Sequence, residues 1–295
     1  MSSLRAVRLL LGAAAVAAFV IPMISPAAPP APATVAATKS APTPKLPAAD
    51  PLMERCVKAW YYQGNDVIAK LRMEIVDRGG EKRYRVMTML RKNVGDKGEQ
   101  RYLIYFHEPG DVRRMTCMVW KHVNANDERW MFVPAANRVR RVAAPERSRF
   151  LGSDFTREEF SGRDASADLH RVNRYERYEG HPCWVVESVP KKPVEYTRMT
   201  TWVDTTTFIP WKQEFRDRRD VVFRTYTSDR VKEIASAAGR KYLTITERTL
   251  WARDKASYTK LYFESVLYDV GISDADFAAA HLHMPLDAWY RGARP

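Results

Sequence analysis

From residue 67 to residue 268 the chain keeps one habit: short runs rich in Val, Ile, Thr, Tyr, Phe and Trp, each ended by a turn signal. Runs at 67–76 and 82–92 flank Asp77-Arg78-Gly79-Gly80, a hairpin by its turn chemistry. Further runs at 101–107, 115–122, 129–133 and 138–142 complete a first series. A second series occupies 169–178, 183–189, 197–203, 210–215, 221–226, 241–251 and 258–268. Nearly all connections are too short for a crossover, so the strands pair antiparallel, roughly eleven or twelve in succession. In Tyr84-Arg85-Val86-Met87-Thr88-Met89-Leu90 apolar groups fall on both faces. Both faces are therefore covered, or one lines an apolar cavity. No fixed-period repeat points to a propeller or solenoid.

Helical signals are few. Asp50 caps a helix with Pro51 at its first position, and Leu52, Cys56 and Trp60 recur on one face. A second helix is predicted at 230–238. A third follows Ser273 to about His281, with Asp276 returning the cap.

Ahead of this body, Arg5 and Arg8 precede an uncharged apolar run at 9–24. A bilayer span needs about 20 apolar residues, and Gly12 and Pro22 weaken this one further. Residues 1–33 read as a signal peptide, with Ala31-Pro32-Ala33 as the small-x-small cleavage site. The expected location is the periplasm, with inner-membrane anchoring if the leader is retained. Residues 34–50 form a Pro/Ala-rich linker, and 51–295 a single β domain.

The net charge is +13, and removing Arg5 and Arg8 lowers it by two, to +11. Such a balance suits nucleic acid or an anionic membrane surface, and export excludes nucleic acid as the partner. Cys56, Cys117 and Cys183 match no zinc spacing and read as free, buried thiols.

The most distinctive stretch runs from Phe106 to Phe160. It holds Phe106-His107-Glu108-Pro109, Asp111-Val112, Trp130-Met131-Phe132-Val133-Pro134, Arg138-Val139-Arg140-Arg141 and Gly152-Ser153-Asp154-Phe155. No catalytic constellation emerges. Ser153-Asp154 has no histidine at a telling spacing and no Gly-x-Ser-x-Gly elbow. Asp154 is expected to cap a turn and pair with a nearby arginine. Glu158 and Glu159 are adjacent, so they cannot face each other across a substrate. His281 and His283 lie at a helix end without further ligands, and no metal or cofactor is expected.

This stretch resembles the exported family of outer-membrane lipoprotein-sorting proteins, relatives of the carrier LolA. The resemblance rests on Phe-x-x-Pro-x-Asp-Val, Trp-x-x-x-Pro, the Arg-rich strand and Gly-Ser-Asp-Phe. Cys183-Trp184-Val185-Val186-Glu187 and Thr201-Trp202-Val203-Asp204 support it. Relatives often carry a glycine shortly after Asp-Val, where this chain has Arg113-Arg114. The resemblance implies a mainly β fold with a few helices: a curved antiparallel sheet, an incomplete β-barrel of about eleven strands closed by helices. It also implies a non-enzymatic carrier holding the acyl chains of a lipid or lipoprotein in an apolar concavity. Trp130, Phe132, Phe150 and Phe155 are then the candidate lipid contacts. Arg138, Arg140 and Arg141 are candidates for a head group or partner, and Gly152, Ser153 and Asp154 form a structural loop. An inner-membrane transporter and an anionic membrane surface are further candidate partners. The alternative is a structural or assembly module of the envelope that binds protein and carries no lipid.

Overall fold

Alternation along the strands assigns each side chain to one of two faces. In the computed structural model, β1 (Asp66–Val76) places Val67, Ala69, Leu71, Met73 and Ile75 in one apolar cluster. Ile68 belongs to another, on the opposite face. The structure describes residues 45–95, 98–123, 125–142 and 149–295. The leader at 1–33 and the linker as far as 44 lie outside the described residues.

β2 (Lys82–Val94), β3 (Glu99–Glu108), β4 (Thr116–Lys121), β5 (Glu128–Val133) and β6 (Arg138–Val142) follow β1 as a meander. The second series is β7 (Asp168–Tyr178), β8 (His181–Pro190), β9 (Arg198–Asp204), β10 (Pro210–Arg216), β11 (Val222–Ala235), β12 (Lys241–Ala252) and β13 (Ser257–Tyr268). All thirteen join one antiparallel sheet in the order β6-β5-β4-β3-β2-β1-β13-β12-β11-β10-β9-β8-β7. The expected count was therefore low by one or two. The predicted helix at 230–238 is instead the far end of β11, paired with β12 from Val231↔Ile245 to Ala235↔Lys241. Its charged residues lie on an exposed stretch of ribbon, where polarity carries no helical information.

The sheet does not close: β6 and β7, neighbours in sequence, are its two edges. The connection between them must travel from one edge to the other. Its described part begins at Arg149 and contributes Phe150, Phe155 and Phe160 to the inner cluster. That cluster takes Cys117 and Met131 from one half of the sheet and Met199 and Phe215 from the other. Two half-sheets can share one core only if the sheet curls, so this face is the concave one.

Helix α1 (Ala49–Tyr61) covers the same face. It starts earlier than predicted, with Ala48 at the cap and no side-chain cap bond, so Asp50 and Pro51 sit in the first turn. Leu52, Met53 and Cys56 pack on Val172, Val186 and Val203 of β7–β9. The opposite, outer face of β1–β5 is covered by the C-terminal segment. There Ser273 and Asp276 form the predicted capping box, but the turn Asp274–Phe277 is 3-10 and breaks at Ala278. Arg114 adopts φ 67°, in the left-handed region that favours glycine. No described helix is long and apolar enough to cross a membrane.

Candidate functional site

The concave interior is the candidate site, and three elements meet over it. The loop after Arg149 is closed by Phe150 N–H donating to the Phe155 carbonyl (2.8 Å) and Ser153 N–H to that of Phe150 (2.9 Å). Gly152 (φ 78°) supplies the left-handed residue this bend needs. Asp154 then fixes the loop to β13: its carboxylate accepts from Ser257 Oγ (2.7 Å) and Thr259 Oγ1 (2.9 Å). Those hydroxyls, instead of the expected arginine, are the carboxylate's partners among the described residues, while Arg149 donates to the Asp154 backbone carbonyl. Thr156 and Glu159 form a capping box that starts α2 (Arg157–Ser161).

Glu158 and Glu159 diverge from there. Glu158 pairs with Arg163 (2.7 Å), whose guanidinium also holds the buried Asp168. Glu159 meets Arg224 of β11, a side chain with no exposed surface, and Glu195 approaches the same guanidinium at 2.5 Å. Burial disfavours the charge on Arg224, but the two carboxylates outweigh it and leave its pKa raised. Glu195 also pairs with Arg149, so alternating charges run from the loop to the second half-sheet. On the other side, Lys121 donates to Tyr62 Oη (3.0 Å) and the Gly162 carbonyl (3.1 Å) and pairs with Asp164.

The end of α1 is tied just as firmly. Arg91 and Gln100 donate to the Tyr61 carbonyl at 2.6 and 2.9 Å, and Tyr61 Oη donates to the Glu159 carbonyl at 2.9 Å. Gly162 (φ 88°) lies against the Tyr61 ring, where a Cβ would come within 2.7 Å of Cγ. Two cavities of about 60 Å³ each remain inside. Trp60 and Tyr61 line both. A larger pocket of about 750 Å³ lies on the outer face between β1–β3 and the C-terminal segment, edged by Lys70, His107, Arg113 and Arg114.

The four candidate lipid contacts do not form one surface. Phe150 and Phe155 are buried on the inner face, with Phe150 stacked on Phe160 at 4.4 Å. Trp130 and Phe132 are in phase with each other but out of phase with Met131, the residue that points inward. They pack on the outer face beneath the C-terminal segment, Trp130 edge-on to Trp120 at 5.1 Å. Arg138, Arg140 and Arg141 are exposed on the edge strand β6. Arg141 pairs with Glu128 (2.5 Å), while Arg138 and Arg140 have no ion-pair partner among the described residues. His281 stacks on Trp289 and His283 meets the edge of Phe132, so they do not converge.

Sequence reasoning missed the interior charges. The available signal was phase: Arg224 keeps step with Tyr226, and Arg248 with Leu250, both core residues.

Residues 98–284 match a family model described as an uncharacterized protein. The structure of a DUF1329 family protein from Desulfovibrio piger is 25% identical with a TM-score of 0.71, covering 79% of this chain and 97% of that one. The chain belongs to this family. The Phe106–Phe160 stretch that carries the resemblance lies within the residues matched by that family's model. A Vibrio parahaemolyticus domain named as an outer membrane lipoprotein-sorting protein matches at TM-score 0.72 and 23% identity, covering 80% of this chain and 98% of that one. A LolA superfamily protein from Nitrosomonas europaea matches at TM-score 0.59 and 14% identity, covering 79% and 98%. No curated protein matches in sequence. The part matched by the DUF1329 family model includes Asp154, Glu159, Arg224 and Arg248, whereas α1 precedes it.

Proposed function

We propose that this protein is a non-enzymatic periplasmic carrier that shelters the acyl chains of a lipid or lipoprotein between the concave face and α1. One observation carries the reading: a single hydrophobic cluster on the inner face draws from both half-sheets and is covered by α1 and the edge-to-edge crossing. Exposing a chain of about 16 carbons to water costs on the order of 12 kcal/mol, at ~0.8 per CH₂. A protein that covers the chain removes this barrier without any covalent step. Each inner cavity, at about 60 Å³, holds a few waters or a few methylenes. That is too little for a whole acyl chain, so cargo enters by lifting α1. The basic leader exports the chain, and Arg138, Arg140 and Arg141 on the open edge touch anionic head groups. Native mass spectrometry with lipid extraction, followed by uptake of a fluorescent fatty acid, tests the reading. Finding neither bound lipid nor uptake overturns it.

The small size of the cavities is the observation favouring the second reading, an envelope assembly module that binds protein through the edges β6 and β7. Partner capture that survives complete filling of the interior, without any acyl binding, would support that reading.

A further inference from the structure

Among the described residues, the interior holds two buried cations with no carboxylate partner, Arg248 and Arg91. Arg248 is 4% exposed, and its Nε has no hydrogen-bond partner. The rings of Phe155 and Phe263 lie 5.5 Å from its Cζ, with those of Trp60 and Phe160 at 5.8 and 5.9 Å. Four aromatic faces near 6 Å give a weak attraction, far short of the desolvation a lone buried charge suffers. The other buried cations are treated differently. Arg224 has two carboxylates, Lys121 has Asp164, and Arg85 has Asp111.

Arg248 and Arg91 line the same inner cavity. Arg91 spends its terminal nitrogens on Tyr61, Gln63 and Asn93 oxygens, and its Nε is also unpartnered. The hydroxyls of Tyr61, Tyr102, Thr244 and Tyr268 are already engaged, Tyr61 with the Glu159 carbonyl, Tyr102 with Gln100 Oε1, and Thr244 and Tyr268 with each other, and no lining residue is acidic. Two guanidinium groups, each with an unpartnered Nε, in a lining without an acid make a receptor for an anion. The volume, about 60 Å³, suits a head group and not a chain. Beyond the shared Trp60 and Tyr61 lies the second cavity, with Met53, Met199, Phe215 and Leu250 on its walls.

We propose that the cavity between Arg91 and Arg248 seats the anionic head group, a carboxylate or a phosphate, of an amphiphile whose acyl chain runs past Trp60 along the inner face. The inference rests on the carrier reading and specifies its cargo as anionic. In the loaded protein the anion ion-pairs with Arg248 and the aromatic ring set packs on the first methylenes. No bond is made or broken.

The test is equilibrium binding of oleate, methyl oleate and oleoyl lysophosphatidic acid to the purified full chain, below their aggregation concentrations. The wild type is expected to bind at least one of the two anions tenfold or more tighter than the neutral ester. The tighter anion identifies the head group as carboxylate or phosphate. Arg248→Met should bind the ester as before and lose the preference, and Arg248→Lys should keep part of it. Equal binding of ester and anions by the wild type overturns the anion site and leaves the carrier reading standing. Binding of none of the three overturns the carrier reading, and the anion site with it. Ligand-free Arg248→Met should melt at or above the wild-type temperature, because it removes an uncompensated charge. A lower melting temperature with unchanged preference would make Arg248 a packing residue and overturn the proposal.

Discussion

Replacing Glu159 by Gln probes the charge chain that ties the crossing segment to the second half-sheet. The amide keeps an oxygen for the Thr156 N–H, which now donates to Glu159 Oε2 at 2.9 Å, so the cap of α2 survives. What is lost is one of the two carboxylates on Arg224, whose side chain is wholly buried. Breaking a buried pair destabilises by about 3–5 kcal/mol when nothing else compensates the remaining charge. Glu195 still faces Arg224 but is 40% exposed and shared with Arg149, so the expected loss is about 2–3 kcal/mol. With a urea dependence on the order of 3 kcal/mol/M for a domain of this size, the midpoint should fall by about 1 M. Arg224→Met added to Glu159→Gln should recover most of that, since the orphaned charge goes with it. A loss below about 0.5 kcal/mol, or a double variant no more stable than the single one, would refute the idea that this pair is energetically coupled.

Gly162→Ala combines a positive φ with a Cβ 2.7 Å from the Tyr61 ring, and should cost about 2 kcal/mol or more in a denaturation experiment. Burial works against ionised Asp204, yet N–H groups of Thr207 (2.8 Å) and Thr206 (2.9 Å) and Trp211 Nε1 (3.0 Å) prevail and lower its pKa. Its stabilisation is present above the unfolded carboxyl value and lost as pH falls through the folded one. Asp204→Asn should therefore flatten the stability profile below about pH 4. Burial pushes the Cys56 thiol up to about 12, so native protein at pH 8 should resist alkylation there. Labelling that accelerates with added fatty acid would report α1 lifting, and fast labelling without it would contradict that burial. Changing Arg138, Arg140 and Arg141 together to Ala should weaken binding to anionic vesicles by about 1 kcal/mol per residue, with a reduced salt dependence. Unchanged binding removes them from membrane contact.

Period-two patterning made the strands legible, since a half-buried ribbon writes its two faces into alternate residues. It failed at 230–238 because both faces of that ribbon end are partly exposed, leaving nothing to alternate. The four aromatic candidates were chosen by proximity in sequence, and Trp130 and Phe132 lie on the face opposite to Phe150 and Phe155. Which face is the concave one depends on how the sheet curls, and no single strand records that. Asp154 sits at a turn signal in the sequence, but its carboxylate's partners Ser257 and Thr259 lie about a hundred residues on. Arg224 and Arg248 were passed over because an arginine in a strand reads as a surface residue unless its phase is checked against its neighbours.

The strand order also dictates when the molecule can be completed. β1 and β13 are adjacent, from Val67↔Tyr268 to Val76↔Tyr258, so the middle of the sheet is joined by the first and last strands made. A chain made N-terminus first leaves β1 with an open edge until the whole length has emerged. Such an edge is a template for mispairing, and closing it brings together residues some two hundred positions apart, a slow step. The half made first is therefore the one most in need of a chaperone, and a truncation removing β13 would leave its β1 edge open.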